Sequence, residues 1–117
     1  MTIKEFYAQI GEDDQDVVKR LGSEALIRRL ILKFPQDETF AALQEALEQQ
    51  NTETAFRAAH TLKGVAVNLG FTRLYHAAAA LTEVLREAKL AEAAPLLAET
   101  ETAYRKIINA ISALTSD

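Results

Sequence analysis

The sequence predicts an all-α fold: an antiparallel up-down four-helix bundle with short N-terminal helices capping one end. Three observations lead there. Alanine and leucine dominate, while only four Gly and two Pro interrupt the 117 residues, a composition that favours helix. Apolar residues recur at three- and four-residue spacing in each long segment. No alternating stretch reads as a strand, and the connections are short, so sequential helices should be antiparallel neighbours. The length fits one domain, residues 1–117, with an N-terminal cap over 1–21 and the bundle over 23–115.

Thr2-Ile3-Lys4-Glu5 reads as a capping box, with Glu5 three residues after Thr2. Ile3, Phe6, Tyr7 and Ile10 stripe the first short helix, and Gly11 ends it. The acidic run Glu12–Asp16 suits the start of the next helix, where carboxylates oppose the helix dipole. Val17, Val18 and Leu21 form its apolar face, and Gly22 breaks it. Ser23 caps a third segment carrying Leu26, Ile27, Leu30, Ile31 and Phe34. Pro35 must end or kink it, and the pattern resumes with Phe40, Leu43, Ala46 and Leu47. One kinked helix or two stacked ones satisfy this stretch equally.

Asn51-Thr52 opens the next helix, which should close at Gly70. Phe71 and Thr72 read as staple and N-cap for a helix striped by Leu74, Ala78, Leu81 and Leu85, running to about Ala88. Pro95 suits a first turn. The last helix then carries Leu97, Tyr104, Ile107, Ile108, Ile111 and Leu114 and frays into Thr115-Ser116-Asp117. The four principal segments are Ser23–Gln50, Thr52–Leu69, Thr72–Ala88 and Pro95–Leu114. Tyr7, Phe34, Phe40 and Tyr104 fall on core stripes.

Composition narrows the chemistry. There is no cysteine, which excludes disulfides, thiolate catalysis and zinc fingers. A net charge of −4 argues against nucleic acid as a partner. No stretch approaches the roughly 18 apolar residues of a membrane span, and the start lacks a signal peptide, so no membrane partner is expected and a cytoplasmic location is. The charge is unevenly spread. From Thr54 to Thr82 there is no Asp or Glu, yet this window holds Arg57, Lys63, Arg73, His60 and His76.

His60 carries the most information. At about 100° per residue, Ala55, Ala58, Leu62, Val65, Ala66 and Leu69 lie opposite it, so a core-facing stripe turns His60 outward. Lys63 sits about 60° to one side and Gly64 about 40° to the other. No carboxylate stands three or four residues away to orient the ring as a base, and no Ser or Cys stands there to be activated. A neutral imidazole can instead attack a phosphoryl group and hold it as a phosphoramidate, an anion that Lys63 is placed to neutralise. Gly64 costs roughly 1 kcal/mol in mid-helix, which suggests that something must approach closely there. Phe56 and Val67 share the outward face and read as a docking surface. His76 has no organised surroundings and reads as structural; a His60/His76 metal site lacks a third ligand and adjacent carboxylates, so no metal site is expected.

His60-Thr61-Leu62-Lys63-Gly64 followed by Asn68-Leu69-Gly70 resembles the signature of the histidine-containing phosphotransfer (HPt) domains of multistep phosphorelays. The resemblance extends from about Asp16 to Leu114 and includes the Gly22-Ser23 break. It implies a four-helix bundle that takes phosphoryl from one aspartyl-phosphate receiver domain and passes it to another. His60 would be phosphorylated, by family habit on Nε2, with Lys63 neutralising the phosphate. Gly64, Phe56, Arg57, Val67 and Asn68 would meet the partner, a response regulator receiver domain, a hybrid sensor histidine kinase, or both. The chain would be a carrier with no ATP-dependent kinase activity, a monomer without cofactor, any Mg²⁺ belonging to the partner receiver. Val65 departs from the small residue, often Ser, that many members carry, and Arg86 weakly matches a basic residue of some members. A bundle that binds receivers without phosphotransfer is the alternative.

Overall fold

In the computed structural model, which describes residues 1–115, the chain is all-helical, with no strand among the described residues. The elements are α1 (Ile3–Gln9), α2 (Gln15–Leu21), α3 (Glu24–Lys33), α4 (Thr39–Glu48), α5 (Thr52–Asn68), α6 (Thr72–Arg86) and α7 (Ala93–Thr115). Two 3₁₀ turns, Phe34–Gln36 and Leu90–Glu92, precede α4 and α7. Ser116 and Asp117, the expected frayed end, lie outside the described residues.

The local chemistry of each start is visible. Thr2 Oγ1 accepts from the Glu5 N–H at 3.0 Å while Glu5 accepts from the Thr2 N–H at 2.8 Å; both bonds hold the Glu5 carboxyl below its usual range. Ser23 Oγ accepts from the Leu26 N–H at 3.2 Å. The Ser23–Gln50 stretch is two helices, because Pro35 opens a 3₁₀ turn that interrupts the α-helical ladder. Asp37 then accepts from the Thr39 N–H at 2.8 Å and starts α4.

Three boundaries differ from expectation. Thr72 is not the N-cap of α6 but its first helical residue, and the cap position falls on Phe71, whose buried ring accepts nothing. The Glu12 carboxylate, 61 residues away, takes the Arg73 N–H at 2.9 Å instead. α7 begins at Ala93, so Pro95 sits within its first turn, where no N–H is needed. α6 stops at Arg86, and Ala88 turns left-handed (φ 57°) just beyond it.

α4, α5, α6 and α7 pack in sequence order, while α1 and α3 lie against α7 and α2 against α3. At about 1.5 Å per residue, the 23 residues of α7 run most of the length of a body 40 Å long. A chain of aromatic rings links the cap to the bundle. Phe71 meets Phe6, Tyr7 and Phe34 at centroid distances of 6.3, 6.2 and 5.3 Å. Phe34 meets Tyr104 at 5.6 Å, and Tyr104 stacks on Phe40 at 4.2 Å. Tyr7, Phe34 and Phe40 are buried, and Tyr104 is half-buried. Each such pair is worth about 0.5–1.5 kcal/mol beyond the area it buries. The N-terminal helices therefore share one core with the bundle.

Candidate functional site

α5 is the element that presents the site. Asn51 Oδ1 accepts from the Thr54 N–H at 3.2 Å and caps its start. Ala55, Ala59, Leu62 and Ala66, with Leu69 just past its end, are buried. Ala58 and Val65, expected on the core stripe, are only partly buried, and Ala59 takes their place. The buried arc is thus rotated by about 30° from the expected one, because α5 is covered on two sides, by α4 and by α6. His60 remains outside that arc and is exposed.

Around the imidazole the described chain offers little acid–base chemistry. The ring's recorded neighbour is Phe56, at a centroid distance of 6.1 Å and a 46° tilt. Lys63 is half-buried and has no ion-pair partner among the described residues. A Cβ built on Gly64 would meet no atom within 4 Å beyond its own helix backbone. Val67 leaves 50% of its surface open, and Asn68 is exposed.

Two residues of the predicted docking face are more engaged than the sequence suggests. Phe56 is half-buried, packed on the core, and carries the Arg86 guanidinium 4.9 Å above its ring. Arg57 pairs with Glu53 at 2.5 Å, both side chains being about three-quarters exposed, so that pair contributes at most about 1 kcal/mol. Arg86 also reaches Glu83 at 3.3 Å. His60, Phe56 and Arg86 therefore form one continuous row of side chains across α5 and α6.

The family model for the Hpt domain matches residues 36–115 of this chain, all of α4 to α7 included. The chain belongs to the Hpt domain family. No curated protein and no solved structure gives a significant match.

What lies outside the matched stretch of this Hpt domain also shapes the site. Residues 1–35 supply two of the groups that close the C-terminal end of α5, Tyr7 and Arg20. Gly70 adopts φ +72°, the left-handed cap that lets the Phe71 N–H return to the Ala66 carbonyl at 2.9 Å. Leu69 N–H takes the Val65 carbonyl at 3.1 Å. Arg20 of α2 donates to the carbonyls of Val67 and Asn68 at 3.1 and 3.2 Å, and pairs with Asp16 at 3.4 Å. Tyr7 of α1 donates its hydroxyl to the Leu69 carbonyl at 2.5 Å. Every carbonyl from Val65 to Leu69 thus has a donor, where a helix end otherwise leaves four without one. Burial pushes the Tyr7 phenol well above its ordinary range, with the Arg20 charge working against that and Asp14 and Glu12 adding to it. Arg20 and Glu12 were invisible to a helix-by-helix reading, because each acts on a helix 47 to 61 residues away.

Proposed function

We propose that this Hpt domain is a phosphorelay intermediate that carries a phosphoryl group on His60 between aspartyl-phosphate receiver domains, on a response regulator, a hybrid sensor histidine kinase, or both. Hpt domains are phosphotransfer carriers rather than kinases. The observation that supports the reading best is the state of the His60 face: an exposed imidazole and, three residues on, a lysine with no ion-pair partner among the described residues.

The chemistry follows from what that face holds. An imidazole nitrogen attacks phosphorus in line with the aspartyl acyl-phosphate bond, the P–O bond breaks and the aspartate carboxylate leaves. The new P–N bond holds the phosphoryl until the reverse exchange with a second receiver. Lys63 neutralises the transferred charge. Such a transfer depends on positioning and charge neutralisation more than on covalent help, so a sparse site suffices. Any Mg²⁺ would sit on the receiver. The open space at Gly64 leaves room for the partner's catalytic end, and Val67, Phe56, Arg57 and Asn68 would form the docking surface. A monomer in the cytoplasm goes with this reading; no helix of the described chain is long and apolar enough to cross a membrane.

Mixing the protein with a ³²P-phosphorylated receiver domain tests this. Acid-labile, alkali-stable label should appear on the wild type and be absent from His60→Gln. Receiver binding without label would instead support a bundle that docks without transfer. Undiminished label on the His60→Gln variant would sink the assignment of the carrier residue.

A further inference from the structure

A groove of about 420 Å³ opens between α6 and α7, and neither His60 nor Lys63 lines it. Its floor holds Ala77 and Ala103. Two alanines facing each other leave room where larger side chains would interdigitate. Its rim is charged. Arg73 and His76 come from α6, and Lys106 and Glu99 from α7. The side chains of Arg73, Lys106 and Glu99 make no hydrogen bond or ion pair among the described residues. Glu12 approaches, but its recorded bond is to the backbone N–H of Arg73. Arg73 and Lys106 also line a smaller neighbouring cavity with Glu12, which places them at one end of the groove. Glu99 stands seven residues back along α7, about 10 Å away.

In a chain of net charge −4 the groove itself is lined by two fixed positive charges and an imidazole against one carboxylate, Glu99, with the Glu12 carboxylate beside Arg73 in the adjoining cavity. Arg73 and His76 belong to the acid-free stretch from Thr54 to Thr82, and the chemistry at His60 leaves them unused.

We propose that the groove is a binding site for a small organic anion, with a carboxylate or phosphate head held by Arg73 and Lys106 and an apolar body resting on Ala77 and Ala103. The size and make-up fit: small-molecule sites are concave, of roughly 300–1,000 Å³, mainly apolar, with a few convergent polar groups. Arginine's planar fork matches either head group with two parallel hydrogen bonds, and lysine adds a point charge. His76 on the rim offers a further hydrogen bond, while the Thr102 hydroxyl is engaged in donating to the Ala98 carbonyl at 3.0 Å. Glu99 at the far end repels a second charge and so orients the ligand, head toward Arg73.

Amide-resolved NMR titration of the full chain tests the site, with phenyl phosphate in one arm, benzoate in the other and inorganic phosphate as a third probe. At least one organic anion should give saturating shifts at Ala77 and Ala103 with an affinity near 1 mM or tighter, about −4 kcal/mol; the arm that saturates names the head group. Replacing both cations, Arg73→Gln with Lys106→Gln, should weaken binding at least about tenfold, or 1.4 kcal/mol. Ala103→Leu keeps every charge but fills the floor, and should remove binding; Glu99→Gln should tighten it. Shifts that do not saturate for either organic anion, or that centre on His60 and Lys63, overturn the site. Unchanged affinity in the double variant overturns the role of the cations. Inorganic phosphate binding as tightly as phenyl phosphate overturns the apolar body.

Discussion

The Tyr7 hydroxyl and the Leu69 carbonyl, 62 residues apart in sequence, meet at 2.5 Å in the buried interior. The bond ties α1 to the carbonyl just past the end of the site helix. Removing the hydroxyl leaves that acceptor buried and unpaired. Tyr7→Phe should therefore lose about 1–1.5 kcal/mol of stability, measured by urea denaturation. Amides near Gly70 and Phe71 should lose hydrogen-exchange protection more than the centre of α5.

The same phenol makes stability depend on alkaline pH. Burial raises the Tyr7 pKa in the folded protein, so the folded state holds this proton more tightly than the unfolded chain. Its contribution is fully present below the unfolded phenol's value of about 10 and is lost as pH rises beyond it. Wild type should destabilise above about pH 10 more steeply than Tyr7→Phe. Tyr104, also raised by burial, leaves a smaller slope in the variant. Equal slopes in the two proteins would falsify this linkage.

Lys63 stands three residues after His60 and, unlike Arg57 three residues before it, has no ion-pair partner among the described residues. Lys63→Gln should leave helix content unchanged and slow phosphorylation of His60 by a phosphorylated receiver several-fold, equivalent to about 1 kcal/mol for an exposed charge pair. The check is the single-turnover rate alongside the far-ultraviolet dichroism.

Gly64 allows folding to be measured apart from the docking proposed for its face. Its Cβ position is open within the chain, so Gly64→Ala should stabilise α5 by about 0.5–1 kcal/mol. Gly64→Gln should fold equally well but slow transfer, because its side chain would occupy the partner's space. Thermal melts and transfer rates on the two variants decide it; wild-type rates in Gly64→Gln would remove the steric role.

Ala88 holds φ 57° just past α6, where the Lys89 N–H returns to the Val84 carbonyl at 2.9 Å. This is the position that glycine fills after α1, α2 and α5, as Gly11, Gly22 and Gly70. A non-glycine residue is strained there by roughly 1–2 kcal/mol. Ala88→Gly should raise stability by about 0.5–1 kcal/mol once glycine's greater unfolded freedom is subtracted. Chemical denaturation measures the gain.

Much of this molecule was legible residue by residue. Thr2 with Glu5, Ser23, Pro35 and Gly70 each act within four or five positions of themselves, and local chemistry announces them. His60 pointed outward for a similar reason: a 3.6-residue period needs no knowledge of partners. What stayed hidden was contact across the chain. Phe71 gave no sign that Glu12 would cap its helix, and the carbonyls of Val67 and Asn68 gave none that Arg20 would reach them. Phe56 looked like an exposed ring because Arg86, the side chain that covers it, comes from the next helix. The choice between Ala58 and Ala59 in the core also lay beyond the pattern, since the two differ by only 100° and the neighbouring helices decide which is covered.

The hydrogen bonds from Tyr7 and Arg20 have a consequence in angle as well as in energy. They grip α5 at Val67, Asn68 and Leu69, about two turns beyond His60. A helix is stiff in torsion over so short a distance, so the grip adds to the packing of α4 and α6 in holding the azimuth of everything upstream. A twist of about 20° would sweep an imidazole held about 6 Å from the helix axis through some 2 Å. Misplacement of about 1 Å can slow a transfer a hundredfold. The first twenty residues of the chain, outside the matched region, therefore act as a stop that, with α4 and α6, holds the heading of the histidine.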